Sequence, residues 1–459
     1  MKESRSLIRK YNYPVPRYTS YPPANHFRKD FSAEEYESAL INSNREKTEN
    51  ISIYIHIPFC KRLCHYCGCF KTHLNNSVDP EKYINTVINE FRMIAGHIDK
   101  NRKLSQIHFG GGTPNAIPLK YLKKVNDVIF EEFELIDSPE IALESNPAYL
   151  DFADIDLLNE AGFNRISLGI QDMHEDILDF VNRDSSMHPL EQIISYARKT
   201  NPEMKINMDF IYGLPKQTTE NFLETIQQAV DLKPDRLVTF SYAHVPWVNK
   251  AQLKLEKYGL PEQDDKIDMF FSSRELLKKS GYVPIGFDHY VLPDDELNIA
   301  YSNGDLHRNF QGYCTRRTTG QVYALGISSI SQLERIYASN TKSMENYIEK
   351  IENGEFPVER GYQLSEKEII VREVITTLLS NNYVDLNAVG KKLGLPLNEL
   401  KEILDPDYEM LNELEKDGVI EQKDNKITVS APGVLFIRNV AGALDPEFEV
   451  KDNKYSKPV

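Results

Sequence analysis

Short apolar runs alternate with longer amphipathic stretches through the middle of the chain. The runs are ISIYIHI (51–57), QIHFG (106–110), IALES (141–145), RISLGI (165–170), INMDFIYG (206–213), RLVTFSY (236–242), VPIGF (283–287) and VYALGI (322–327). Each is rich in β-branched or aromatic residues and too short for a stable helix, so each predicts a strand. Between them, residues 80–95, 119–133, 188–199, 219–232 and 262–280 repeat apolar positions at helical spacing. Strand followed by helix, repeated, predicts parallel βα units. The number of units predicts an α/β fold of the TIM type, a full or partial barrel, with its chemistry at the C-terminal ends of the strands.

The flanks read differently. Residues 1–50 are polar and aromatic, and Pro22 and Pro23 in RYTSYPPANHF predict an extended arm. Residues 51–360 form the expected barrel domain. Beyond 361, Ser365 and Glu368 make a capping box ahead of IIVREVITTLLS. LNAVGKKLGL, a helix over about 397–417 and the ribbon-like GVIEQKDNKITVSAPG follow. Helices ending in a ribbon predict a winged-helix-like C-terminal domain over 361–459. Its stretch LNELKEILDPDYEMLNELEKD is acidic, which argues against DNA binding and for a lid or packing role.

Composition narrows the class. Of 459 residues, 41% are hydrophobic and 27% charged, the balance of a soluble globular protein. The net charge of −15 disfavours nonspecific nucleic-acid binding, so an anionic substrate would need its cations concentrated locally. No apolar run reaches the length of a membrane span, and the first residues carry no signal-peptide pattern, so a cytoplasmic protein is expected. No long apolar surface stripe stands out, which favours a monomer.

Polar and glycine-rich groups fall where the predicted strands end. They are the cysteine loop after 51–57, GGGTP (110–114), Glu144, GIQD (169–172), Asp209 with YGLP, and Tyr242–His244. Of five cysteines, Cys60, Cys64, Cys67 and Cys69 crowd into one loop, and Cys314 stands alone and reads as incidental. The spacing C-x3-C-x2-C lacks the second pair that structural zinc uses. It also differs from plant-type ferredoxin spacing. Three thiolates in one tight loop suit three irons of a [4Fe–4S] cube, leaving the fourth iron open.

That motif, followed by GGGTP, resembles the radical S-adenosylmethionine (SAM) superfamily. The match extends through PRYTSYP, IHIPFCKRLCHYCGC, HFGGGTP, ESNP, GFNRISLGIQD, VNRD, MDFIYGLPKQT, PDRLVTFSYAHVP, IGFDHY, LPDDEL, LHRNFQGY and GVLFIRN. Over nearly the whole chain it is similar to the oxygen-independent coproporphyrinogen III oxidase (coproporphyrinogen dehydrogenase) family. The resemblance implies oxidative decarboxylation of two propionates of coproporphyrinogen III to vinyl groups, giving protoporphyrinogen IX in haem biosynthesis. It implies a [4Fe–4S] cluster, SAM (two molecules), and an electron donor and acceptor.

The resemblance also implies roles for residues. Cys60, Cys64 and Cys67 would ligate the cluster. Tyr54, Gly111, Glu144 and Ile330 would touch the first SAM. Tyr66, Gly112, Thr113, Gln171, Arg183, Asp209 and Ala243 would touch the second, with Arg183 suited to a methionyl carboxylate. Cys69, one residue past Gly68, reads as a supporting or substrate-side thiol, and Cys69, Tyr54 and Glu144 are the candidate catalytic residues. Arg17 and Arg308, with Arg316 or Arg317, are candidate partners for the substrate carboxylates, and Tyr18 with Tyr21 for its macrocycle. CTRRTTGQVYALGISSIS (314–331) departs from the family, with one extra residue and Ala324 in place of a glycine, which bears on Ile330. Tyr66 stands where a Phe can occur. The alternative is a radical SAM haem chaperone; Cys69 and RYTSYP favour the enzyme.

Overall fold

The computed structural model describes residues 7–8, 10–46, 50–75, 79–316, 321–449 and 455. Six strands follow one another in parallel: β1 (Ile51–Ile57), β2 (Leu104–Gly111), β3 (Leu135–Ser145), β4 (Arg165–Gln171), β5 (Lys205–Tyr212) and β6 (Arg236–Ser241). β7 (Val283–Ile285) and β8 (His289–Val291) extend the β6 side antiparallel. β9 (Gln321–Leu325) lies parallel to β1 on its other side. β10 (Ile330–Gln332), β11 (Ile336–Asn340) and β12 (Val358–Gln363) continue antiparallel from it. The order is β12-β11-β10-β9-β1-β2-β3-β4-β5-β6-β8-β7, with two distinct ends. The barrel is therefore partial.

β1 is buried along its length except at Tyr54, which is why its sequence is a nearly continuous apolar run. The helices fall close to expectation: Pro80–Ala95, Lys120–Glu132, Leu190–Thr200, Thr219–Asp231 and Gln263–Lys279. Asp79 caps the first by accepting from the Glu81 and Lys82 N–H groups, with Pro80 at its first position.

Three expectations change. The run at 283–287 is not another parallel strand but a three-residue edge strand. Pro284 has no N–H to give a central ladder, and the edge tolerates that. The helix expected over 397–417 is two, Leu397–Leu404 and Tyr408–Lys416, because Pro406 interrupts the backbone bonding and Asp405 turns left-handed at φ 39°. The arm is not simply extended: Ala33–Ser43 is a helix opened by a Ser32/Glu35 capping box.

The C-terminal elements are Glu366–Asn381, Leu386–Leu393, the two helices just named, and a ribbon of Ile420–Lys423 with Lys426–Val429. Tyr383–Asp385 pairs with that ribbon, completing a winged-helix-like arrangement. The arm runs against these elements. Arg438 Nε donates to Pro16 O at 3.1 Å, another Arg438 N–H donates to Val15 O, and Asn439 Nδ2 donates to Tyr11 O at 2.9 Å. The Tyr18 and Tyr21 hydroxyls donate to the two oxygens of Asp445 at 2.9 and 2.8 Å. Among the described residues, no helix is long and apolar enough to cross a membrane.

Candidate functional site

After β1 the chain enters the cysteine loop through Phe59–Cys60, which pairs in parallel with Thr72–His73. The loop is fastened from several segments. The His65 N–H donates to Val181 O at 2.9 Å, and Asn182 Nδ2 donates to Leu63 O at 2.8 Å. Gln252 Nε2 reaches Tyr66 O at 3.0 Å. Asn249 Nδ2 and Lys71 Nζ both reach Cys67 O at 2.8 Å. These bonds fix the loop backbone through protein contacts alone.

All five cysteines are free thiols. Cys60 is buried, with Sγ 3.5 Å from Thr113 Oγ1. Burial pushes its thiol up to about 11, and charge on Cys67 and Cys64 adds to the effect. The Cys69 thiol hydrogen-bonds Cys67 and draws it below the usual thiol range against burial, with Lys71 helping. Cys69 is pushed well above the usual thiol range by the same bond. It opens to solvent, unlike Cys60. Among the described residues, no three His, Cys, Asp or Glu side chains already converge as a metal site. Cys60, Cys64 and Cys67 nonetheless share one anchored loop and feel one another's charge, and soft thiolates are the donors that iron–sulfur clusters take.

The glycines at the end of β2 form the floor. Gly111 has φ +111°, and a Cβ there would lie 2.5 Å from the His56 ring. A Cβ on Gly112 would meet Pro58 O at 2.7 Å, so the floor and the cysteine strand touch backbone to backbone. Glu144, at the end of β3, accepts from Gly111 N–H at 3.2 Å and sits 3.1 Å from His108 Nε2. Burial works to raise Glu144, but the bond and charge of His108, with the Gly111 N–H, hold it below the usual carboxylate range. Tyr54 stacks on His108 at 5.9 Å, and its hydroxyl lies 3.2 Å from His56 Nδ1. Burial lowers His56 to about 4, so its ring is neutral near pH 7.

The facing wall comes from β4 to β6. Gln171 is left-handed at φ 73°, where β4 slips register against β5. Arg183 is buried and donates to Gly169 O, to Tyr66 Oη at 3.3 Å and to Cys64 Sγ at 3.6 Å. One guanidinium thus ties β4 to the cysteine loop. Asp209 accepts from Ser167 Oγ at 2.8 Å and Asn207 Nδ2 at 2.9 Å. Burial raises it to about 6, those bonds opposing. Ala243 O accepts from Gln252 Nε2 at 3.2 Å, so one buried glutamine binds both Ala243 and Tyr66.

The structure places other expected residues elsewhere. The Ile330 side chain packs with Phe27, Tyr337 and Leu364, on the arm side of the sheet. Ala324 is an ordinary buried residue of β9 beside Tyr54. The glycine requirement falls two positions on, at Gly326, where φ is +93° and a Cβ would lie 2.5 Å from Tyr83 Oη. Tyr18 is buried on Asp445 and offers no open ring face to a macrocycle. Arg316 pairs with Glu373 at 2.8 Å. Arg317 lies outside the described residues. Cys314 is buried, with Sγ 3.7 Å from His307 O.

Arg17 and Arg308 do come together, joined by two cations that motif reading missed. Arg438 is lowered to about 9, first by burial, then by Arg17 and Arg308. Lys266 is lowered to about 8 by burial and Arg17. Lys266 Nζ donates to Tyr242 O at 3.1 Å, just past β6, which sets this group at the strand mouths. Asp288 is the carboxylate that offsets Arg17. Mutually repelling cations gathered in an acidic protein are charge-complementary to a polyanion. His56 and Gln252 were also missed; each acts through backbone neighbours that spacing does not reveal.

A model of the radical SAM superfamily matches residues 54–229. An oxygen-independent coproporphyrinogen III oxidase of Synechocystis is 36% identical over 98% of this chain and 96% of its own. The Escherichia coli enzyme of that name is 35% identical over 96% and 94%. A solved coproporphyrinogen III oxidase from Escherichia coli, described as a radical SAM enzyme, superposes with TM-score 0.88 at 33% identity, covering 97% of this chain and 99% of that one. With the anchored three-thiol loop and the glycine floor, these likenesses place the chain in the oxygen-independent coproporphyrinogen III oxidase family of radical SAM proteins.

Proposed function

We propose that this chain converts two propionates of coproporphyrinogen III to vinyl groups without oxygen, giving protoporphyrinogen IX. The observation that carries the reading is the joint placement, at one end of the parallel strands, of the three-thiol loop and the four-cation mouth. Each conversion removes one hydrogen atom, one CO2 and one electron. When bound, a reduced [4Fe–4S] cluster and SAM would supply the radical chemistry that removes a hydrogen atom from the propionate β-carbon.

The protein's share is holding and excluding. Cys60, Cys64 and Cys67 hold the cluster, the pinned loop presetting their backbone. Gly111 and Gly112 give the first and second SAM room to meet backbone. Tyr54 and Glu144 serve the first SAM, where the ionised Glu144 accepts an amine or hydroxyl; Ile330, whose side chain packs on the arm side, is left out of this set. Tyr66, Thr113, Gln171, Arg183, Asp209 and Ala243 serve the second, with Arg183 facing a carboxylate. Arg17, Arg308, Lys266 and Arg438 take the substrate carboxylates, each charge-assisted bond contributing about 1.5–3 kcal/mol. Cys69, beside Tyr54 and Glu144 electrostatically, stands on the substrate side.

The reading extends to a cytoplasmic monomer that uses an external electron donor and acceptor, built as arm (1–50), catalytic barrel (51–360) and C-terminal domain (361–459). Free thiols suit a reducing compartment. The test is anaerobic reconstitution with SAM, reductant, acceptor and coproporphyrinogen III. Mass spectrometry should show two successive losses of CO2 plus two hydrogens. Haem binding without such products would overturn the reading.

A further inference from the structure

The segment that fastens the cysteine loop also carries much of the molecule's exposed apolar surface. Nine large apolar side chains are exposed among the described residues. Four of them, Leu63, Trp247, Val248 and Leu253, lie on the cysteine loop or on the segment bonded to it. Trp247, the only tryptophan in the chain, is 75% exposed and Val248 71%. This segment touches the loop directly, because Asn249 and Gln252 donate to the carbonyls of Cys67 and Tyr66. The exposed residues therefore lie on the cysteine loop or on a segment bonded directly to it.

Cations rim this apolar surface. Lys61 and Arg62 are exposed on the loop, and Lys250, Lys254 and Lys257 on the adjoining segment. Lys254 Nζ lies 3.5 Å from His65 Nε2. Burial, then Lys254, Lys257 and Arg62, hold His65 below its ordinary value, so these cations share one neighbourhood. The nearby carboxylates include Asp184, which pairs with Arg62, Glu256, which pairs with His244, and Asp176 and Asp179 on the short helix packed against Leu255. Five cations against these four leave this surface without the acidic excess of a chain whose net charge is −15. An apolar centre with a charged rim is the anatomy of a transient protein interface.

We infer that this surface docks a small acidic one-electron carrier protein, which delivers its electron to the cluster across the cysteine loop. The inference rests on the proposed cluster ligation by Cys60, Cys64 and Cys67. The carrier loses one electron and the cluster gains it, with no bond made or broken. A carrier of opposite charge is favoured over a second copy of this chain, which would bring like-charged patches together.

The probe is an acidic [2Fe–2S] ferredoxin lacking tryptophan, titrated in oxidised form into the reconstituted enzyme. Calorimetry and Trp247 emission report the complex. Binding should saturate, weaken about tenfold between low salt and physiological ionic strength, and weaken about tenfold again in Lys254→Glu/Lys257→Glu. Turnover driven by dithionite should be unchanged in that variant, while turnover driven by ferredoxin falls. Ferredoxin binding that ignores both salt and the double substitution would overturn the inference, as would self-association of the enzyme that ferredoxin cannot displace. Loss of dithionite-driven products in the unmodified enzyme would instead strike the proposed activity, leaving the binding result readable.

Discussion

Gly111 and Asp209 show how single residues are committed to the site at the expense of the fold. Gly111 combines a positive φ with a Cβ position that would lie 2.5 Å from the His56 ring. Gly111→Ala should destabilise the protein by about 1–3 kcal/mol and weaken SAM binding, measured by thermal unfolding and equilibrium dialysis. Asp209 is raised to about 6 in the fold by burial, above the ordinary carboxyl value of 3.8 that it takes when unfolded. A raised carboxyl stabilises the fold below its unfolded pKa and loses that contribution as pH rises through about 6. Asp209→Asn should therefore gain about 1–2 kcal/mol of stability at pH 7 and lose SAM affinity. Denaturant melts at pH 5 and 7 check it: the gain should shrink at pH 5. The cysteines were legible because their spacing is the chemistry. His56 was not, because its contact with Gly111 depends on how β1 and β2 pair in register.

At the scale of elements, direction and distant contact were what the sequence hid. A run of apolar residues predicts a strand without saying which way it runs, so 283–287 read like its parallel neighbours. The break at Pro406 was present in the sequence, but helical spacing on both sides masked it. The arm's partners lie some four hundred positions away, and only tertiary structure joins Tyr18 and Tyr21 to Asp445. Asp445→Ala would leave two buried phenols without their acceptor. It should cost about 2–4 kcal/mol and speed tryptic cleavage at Arg17, read by limited proteolysis. Asp445→Asn, which keeps an acceptor, should lose less.

Across the whole molecule, charge is sorted. The chain carries −15, yet Arg17, Lys266, Arg308 and Arg438 gather at the strand mouths. Lys266, lowered to about 8, loses its charge within an accessible range. KM for the porphyrinogen should rise between about pH 7.5 and 9 while kcat changes little, and Lys266→Gln should start with the raised KM and show no further rise. Composition signalled that such cations must be concentrated somewhere; Lys266 lies in a helical stretch and Arg438 in GVLFIRN, neither of which speaks of charge, and only folding brings them near Arg17 and Arg308.

The account's central claim is that this site removes a hydrogen atom from the propionate β-carbon. Coproporphyrinogen III carrying deuterium at those carbons tests it directly under anaerobic turnover. Deuterium should appear in 5′-deoxyadenosine in step with vinyl formation. Vinyl product formed with unlabelled 5′-deoxyadenosine, or no product from a fully reconstituted and reduced enzyme, would contradict it.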